Sequence, residues 1–150
     1  MYANILLSTD GSEVARRGVR HGIALAKALN AKVTVITVTE PLWVDYGSGH
    51  ASGWIPSKEE VDSFDAARKE FASKVLDEAR AMAQQTGISA ELLHVPDAHP
   101  ATAIIETAKS RGCDLIVMGL MGVAASGSCC WGSQTSEVLV GGSVPVLVVP

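Results

Sequence analysis

The chain of 150 residues holds no run of Lys or Arg longer than the pair Arg16-Arg17, and its formal net charge is -4. Neither nucleic acid nor an anionic membrane surface attracts a mildly acidic protein, so no nucleic-acid and no membrane partner is expected. Apolar runs are short, and none approaches the roughly 20 residues that cross a bilayer. Cysteine is scarce: there are three, an odd number, and Cys129 and Cys130 are adjacent, which is no disulfide framework. The opening Met-Tyr-Ala-Asn lacks a basic segment leading into a cleavable apolar stretch, so no signal peptide is expected and a reducing cytoplasm is the simplest setting. His21, His50, His94 and His99 show no metal-ligand spacing with one another or with the cysteines, so no protein metal site is expected. A G-x4-G-K-[ST] phosphate loop is also missing, which argues against efficient phosphoryl transfer.

What is present suits one well-buried globular domain over residues 1–150: 47% hydrophobic and 19% charged residues. The run from Asn4 to Thr9 reads as a strand ending in a Ser8-Thr9-Asp10-Gly11-Ser12 turn. Val14, Gly18, Val19, Gly22, Leu25 and Leu29 then recur at helical spacing up to a stop at Asn30, and Lys32 to Val38 is β-branched at nearly every position. Residues 40–56 form a long loop containing Trp43, Tyr46 and Trp54. Ser57 opens a capping box with Glu60, ahead of a helix that stops at Gly87 and carries a solvated charged face over 58–80. A strand from Ser89 to Val95, a helix from Ala101 to Arg111, an apolar strand over 114–118, a short helix from Ser133 to Val140 and a final strand from Val144 to Val149 complete the order.

Strands and helices alternate throughout, and the strands are apolar on both faces. This predicts an α/β fold, a doubly wound five-stranded parallel sheet with helices on both faces. In such sheets ligands sit beyond the carboxyl ends of the strands where the strand order reverses, which directs attention to the turn after strand 1 and the loop after strand 4. That loop holds Gly119, Gly122, Gly127 and Gly132, with Ser133, Thr135 and Ser136 at the start of the last helix. Glycines let backbone amides approach a ligand, and a helix start favours an anion there, so a phosphate-holding loop is expected.

The spacing Gly119-x2-Gly122-x9-Gly132-Ser133 resembles the G-x2-G-x9-G-[ST] nucleotide signature of universal stress proteins. The likeness extends along nearly the whole chain: residues 5–12 are similar to the family's first strand and Asp-x-Ser turn, 113–119 to its fourth strand, and 143–149 to its last. This resemblance implies a Rossmann-like, adenine nucleotide alpha hydrolase-like fold that binds ATP, with Mg²⁺ or Mn²⁺ on the phosphates. It implies that Thr9 and Asp10 lie beside the adenosine, with Ser8 also at the nucleotide site, and that Val38 meets the adenine. Met118 and Gly119 would lie under the ribose and α-phosphate, and Gly122, Gly132, Ser133 and Gln134 around the phosphates. It also implies a homodimer, formed through the last strand at 144–149. One departure stands out: residues 122–133 contain no Lys or Arg, where family members often carry a basic residue. Amides, helix dipole and metal would then hold the phosphate charge.

Asp10 either accepts hydrogen bonds from a ligand or caps the first helix with Glu13 three residues on, and both can hold. Cys129 and Cys130 lack a neighbouring His or acid that would make a nucleophile, so no catalytic residue is assigned. The residues accordingly suggest a nucleotide-dependent regulatory protein with slow or no hydrolysis. A weak ATPase and a nucleotide-independent or AMP-binding interaction module are the competing readings.

Overall fold

The computed structural model describes residues 1–42, 56–120 and 133–150, apart from the side chain of Ser133. The elements follow in the order β1 (Asn4–Ser8), α1 (Glu13–Leu29), β2 (Lys32–Val38), α2 (Lys58–Gln85), β3 (Ala90–Val95), α3 (Pro100–Ser110), β4 (Leu115–Gly119), α4 (Ser133–Gly141) and β5 (Val146–Val149). The five strands form one parallel sheet in the order β3-β2-β1-β4-β5, so the winding reverses between β1 and β4. The expected doubly wound sheet is the observed one.

Each face of the sheet buries its own apolar layer. Ile5, Leu7, Val33, Val35 and Val117 pack against Val19 and Ile23 of α1 and Leu76 and Ala79 of α2. Leu6, Ile36, Ile116 and Met118 pack on the other face against Ala101 and Ile104 of α3 and Val138 of α4. The central strands are buried on both faces, whereas β3 and β5 are half-buried along their lengths because they are the sheet edges.

Local signals set the helix ends. Ser12, not Asp10, caps α1: its hydroxyl accepts from the Ala15 amide at 3.2 Å. Asp10 instead accepts from the Ser12 amide at 2.9 Å and turns the chain into the cap. Asn30 ends α1 in the left-handed conformation, φ 54°. Ser57 and Glu60 form the expected capping box. The third helix begins one residue earlier than expected because Pro100 serves as its first helical residue, where a missing N–H costs nothing. The last strand begins at Val146, two residues later than expected, since Pro145 has no amide to give the ladder.

Helix α2 is long for this sheet. Its 28 residues span about 42 Å, while the longest strand, of seven residues, spans about 23 Å. Its buried residues begin only at Ala72, so the N-terminal half overhangs the carboxyl ends of the strands. At the opposite end, Asp114 clips β1 to the start of β4. Its carboxylate accepts from the amides of Ala3 at 2.8 Å and Asn4 at 3.1 Å.

Candidate functional site

The turn after β1 is made by side chains bonding their own backbone. The Thr9 amide donates across to Ile36 of β2 at 3.0 Å, and its hydroxyl accepts from the Gly11 amide at 3.2 Å. Gly11 sits at φ +82°, and a Cβ there would stand 2.8 Å from Cγ2 of Val75, so α2 closes directly over this turn.

Above the turn lies a cleft of about 310 Å³ at the carboxyl ends of β1 and β2. Ile36 and Val38 of β2 with Pro100 and Ile104 of α3 give it apolar lining. Ser8, Thr9 and Asp10 from the β1 turn, Thr39 and Glu40 after β2, and Gln134 of α4 contribute polar groups. Arg68 and Phe71 of the overhanging α2 form the remaining wall. A planar ring suits the apolar part, with hydrogen-bonding groups available for its edges and substituents.

Of the ten residues expected at a nucleotide site, Ser8, Thr9, Asp10, Val38 and Gln134 meet at this cleft. Met118 does not join its lining: its side chain is fully buried in the core between β4 and the α3–α4 layer. Gly119 ends β4 hard against α1, where a Cβ would stand 2.5 Å from the Val14 carbonyl oxygen. Gly122 and Gly132 lie outside the described residues, as do Cys129, Cys130 and the aromatic residues of the 40–56 loop, and Ser133 is described only as the first residue of α4.

Polar side chains of α4 have structural partners. The Gln134 carboxamide oxygen accepts from the Ala101 amide at 3.0 Å, supplying from α4 the cap that α3 lacks, since its own N-cap residue His99 makes no side-chain cap bond. Thr135 is fully buried and its hydroxyl donates to the Gly119 carbonyl at 3.4 Å, so it ties α4 to β4. A pair between His99 Nε2 and Glu137 Oε2 joins the same two helices.

Thr39 is held at three points. Its amide donates to the Val95 carbonyl at 3.0 Å, its carbonyl accepts from Ala98 at 3.3 Å, and its hydroxyl lies 2.8 Å from Nε2 of His94. Burial, then the nearby Lys69 ammonium, holds the His94 imidazole below its ordinary pKa against the opposing pull of Asp97. Elsewhere, burial pushes the Cys113 thiol up, which suits an inert core cysteine. Among the described residues no group of three or more His, Cys, Asp or Glu side chains is placed to hold a metal, and no helix is long and apolar enough to cross a membrane.

Reading the sequence missed Ile36, Thr39, Glu40, Arg68, Phe71, Pro100 and Ile104 as lining residues. Arg68 and Phe71 stand three apart on α2, which is the spacing of one helix face, but Arg68 is one of the charges of 58–80 that read as solvated.

A model of the universal stress protein family matches residues 1–150. A universal stress protein of Thermus aquaticus is 36% identical over 149 residues, covering 99% of both chains. Universal stress protein MJ0531 of Methanocaldococcus jannaschii is 30% identical over 151 residues, covering 99% of this chain and 82% of that one. Among solved structures, hypothetical protein MJ0577 superposes with a TM-score of 0.78 at 24% identity, covering 99% and 96% of the two chains. A universal stress protein in complex with cAMP gives 0.70 at 24%, over 99% and 97%, and one from Archaeoglobus fulgidus in complex with dAMP gives 0.70 at 18%, over 99% and 98%. At these identities the structural likeness carries the fold.

Proposed function

The chain belongs to the universal stress protein family, and from that premise we propose that it is a cytoplasmic, homodimeric regulatory protein that binds ATP and hydrolyses it slowly or not at all. The observation that carries this is the cleft beside the winding reversal, where Ser8, Thr9, Asp10, Val38 and Gln134 come together from three separate segments. On this reading the adenine lies along Val38 and the ribose beside Thr9 and Asp10. The phosphates run toward the start of α4 and the glycines at 119, 122 and 132, with Ser133 beside them.

The donor set fits a metal carried on the phosphates better than one held by the protein. Asp10 has one carboxylate oxygen engaged by the Ser12 amide, and Glu40 is the other acid lining the cleft. Mg²⁺ or Mn²⁺ would neutralise phosphate charge while keeping phosphate oxygens and water as its main ligands. Asp10 is the acid within the turn itself, and its engagement there by the Ser12 amide supports binding over turnover.

A second reading has its own observation. No Lys or Arg occurs after Arg111, and in the described cleft Arg68 stands against two acids, Asp10 and Glu40. Fewer phosphates would be easier to hold in that field, which supports AMP as the resident ligand, in line with relatives solved with cAMP and dAMP.

The deciding experiment is to denature freshly purified protein and identify any released nucleotide by chromatography, then to titrate stripped protein with ATP and Mg²⁺. Release of ATP, or heat on titration that Gly122→Val and Gly132→Val abolish without unfolding, supports the ATP reading. Released AMP supports the second reading. Absence of both nucleotide and heat leaves a nucleotide-independent interaction module.

A further inference from the structure

We propose that Glu40 and Arg68 together read the six-position edge of the ligand's purine. The carboxylate accepts from the exocyclic amine and the guanidinium donates to the neighbouring ring nitrogen. This rests on the adenine-nucleotide reading of the cleft and adds how the base is chosen.

Position is the first support. Glu40, Arg68 and Thr39 line the cleft and also line an adjoining hollow of about 410 Å³ that reaches His94 and Phe64. They therefore mark the end of the cleft past the carboxyl end of β2, next to Val38, while Gln134 of α4 lines it from another element. A base lying along Val38 directs an edge toward that boundary.

Restraint is the second support. Glu40 follows Thr39, whose amide, carbonyl and hydroxyl all have partners, so the backbone that carries the carboxylate is fixed. Arg68 lies over the Phe64 ring with its guanidinium carbon 4.7 Å from the ring centroid, which orients a planar donor. Both residues are half-buried, and they arrive from different elements.

The chemistry then discriminates. A 6-aminopurine presents a donor beside an acceptor, the complement of a carboxylate beside a guanidinium. A 6-oxopurine presents the reverse and turns an oxygen lone pair toward the carboxylate. A site built to pair with an N–H rejects an analogue that lacks it, and charged partners sharpen the penalty. The apolar lining of Ile36, Val38 and Ile104 carries no information about that position.

AMP and IMP differ only in this edge, so the test titrates each by calorimetry into wild type, Glu40→Gln and Arg68→Ala. Wild type is expected to prefer AMP by about tenfold or more. In Glu40→Gln the amide can donate to the 6-oxygen, so the preference falls toward unity. Arg68→Ala weakens AMP several-fold. Circular dichroism and melting temperature should stay at wild-type values, as suits half-buried side chains at the cleft rim. AMP binding with an AMP-to-IMP ratio that neither substitution moves would overturn the base-reading pair and leave the nucleotide reading standing. A wild type that binds neither AMP nor ATP would overturn both.

Discussion

A Cβ at Gly18 would stand 2.7 Å from the backbone nitrogen of Gly119, and one at Gly119 would stand 2.9 Å from the nitrogen of Ala15. Helix α1 and the end of β4 thus touch backbone to backbone. Neither glycine has a flexible side chain opposite it that could give way. The first glycine of the expected phosphate loop has a packing role independent of any ligand.

Gly18→Ala and Gly119→Ala are accordingly expected to destabilise the ligand-free protein by about 1–3 kcal/mol, as overpacking does. The gain in helix propensity of up to ~1 kcal/mol offsets part of this only at position 18. Urea denaturation without nucleotide measures it. Unchanged midpoints would show that α1 and β4 separate freely and that Gly119 serves the ligand alone.

Gln134 combines a structural cap with a position on the cleft, and two substitutions separate these. Gln134→Ala uncaps α3 and should cost about 1 kcal/mol, read as a lower melting temperature. Gln134→Glu keeps an oxygen for the Ala101 amide and should hold that stability, while its added negative charge weakens nucleotide binding. Equal binding by wild type and Gln134→Glu would place the phosphates away from this side chain.

The pH dependence follows from His94 and Asp114. The His94 pKa is lowered on folding, so its stability contribution is complete above the unfolded value near 6.5 and is lost as the pH falls through the folded value. Burial opposes the Asp114 carboxylate, but the Ala3 and Asn4 amides hold it below the usual carboxylate range. Its contribution is present above about pH 4 and lost as the pH falls through the lower folded value. Stability should therefore decline in two acid stages. His94→Gln flattens the upper one and Asp114→Asn the lower. Denaturant midpoints from pH 8 to 3 would show it, and a His94→Gln profile parallel to wild type above pH 5 would contradict it.

The proposed dimer has a backbone test. Carbonyls of Pro145 and Val149 accept from Ile116 and Leu120 of the β4 segment, so by alternation the amides of Val146 and Val148 face away from β4, toward the open sheet edge. Val148→Pro removes an outward N–H without breaking the β4–β5 ladder. It should leave the fold intact and yield monomer by light scattering; a surviving dimer would place the interface elsewhere.

Most of the fold was legible because it rests on local rules. Asn30 stops α1, Ser57 and Glu60 start α2, and the β-branched run 32–38 is a central strand. Each signal involves residues within a few positions of one another. The errors were also local rules, applied one step off. Asp10 looked like a cap, but Ser12 holds the helical position and Asp10 the turn before it. For the site, the chain could nominate Thr9, Asp10 and Val38 from their places at strand ends. It could not show that Met118 faces the core, or that the polar Thr135 is buried against Gly119.

By itself, then, the sequence determined the alternation of strands and helices, the reversal of winding between the first and fourth strands, and the end of the sheet at which a ligand would sit. Periodicity, capping and the handedness of crossovers require nothing beyond the chain's own order. The overhang of α2 was decided only in three dimensions, because it depends on how far a 28-residue helix extends past strands of four to seven residues. That overhang brings Arg68 and Phe71 to a cleft whose polar turn begins sixty residues earlier in the chain. The partners of Gln134 and Gly119 were decided there too, since a cap given by another helix and a backbone contact between α1 and β4 leave no mark in local spacing.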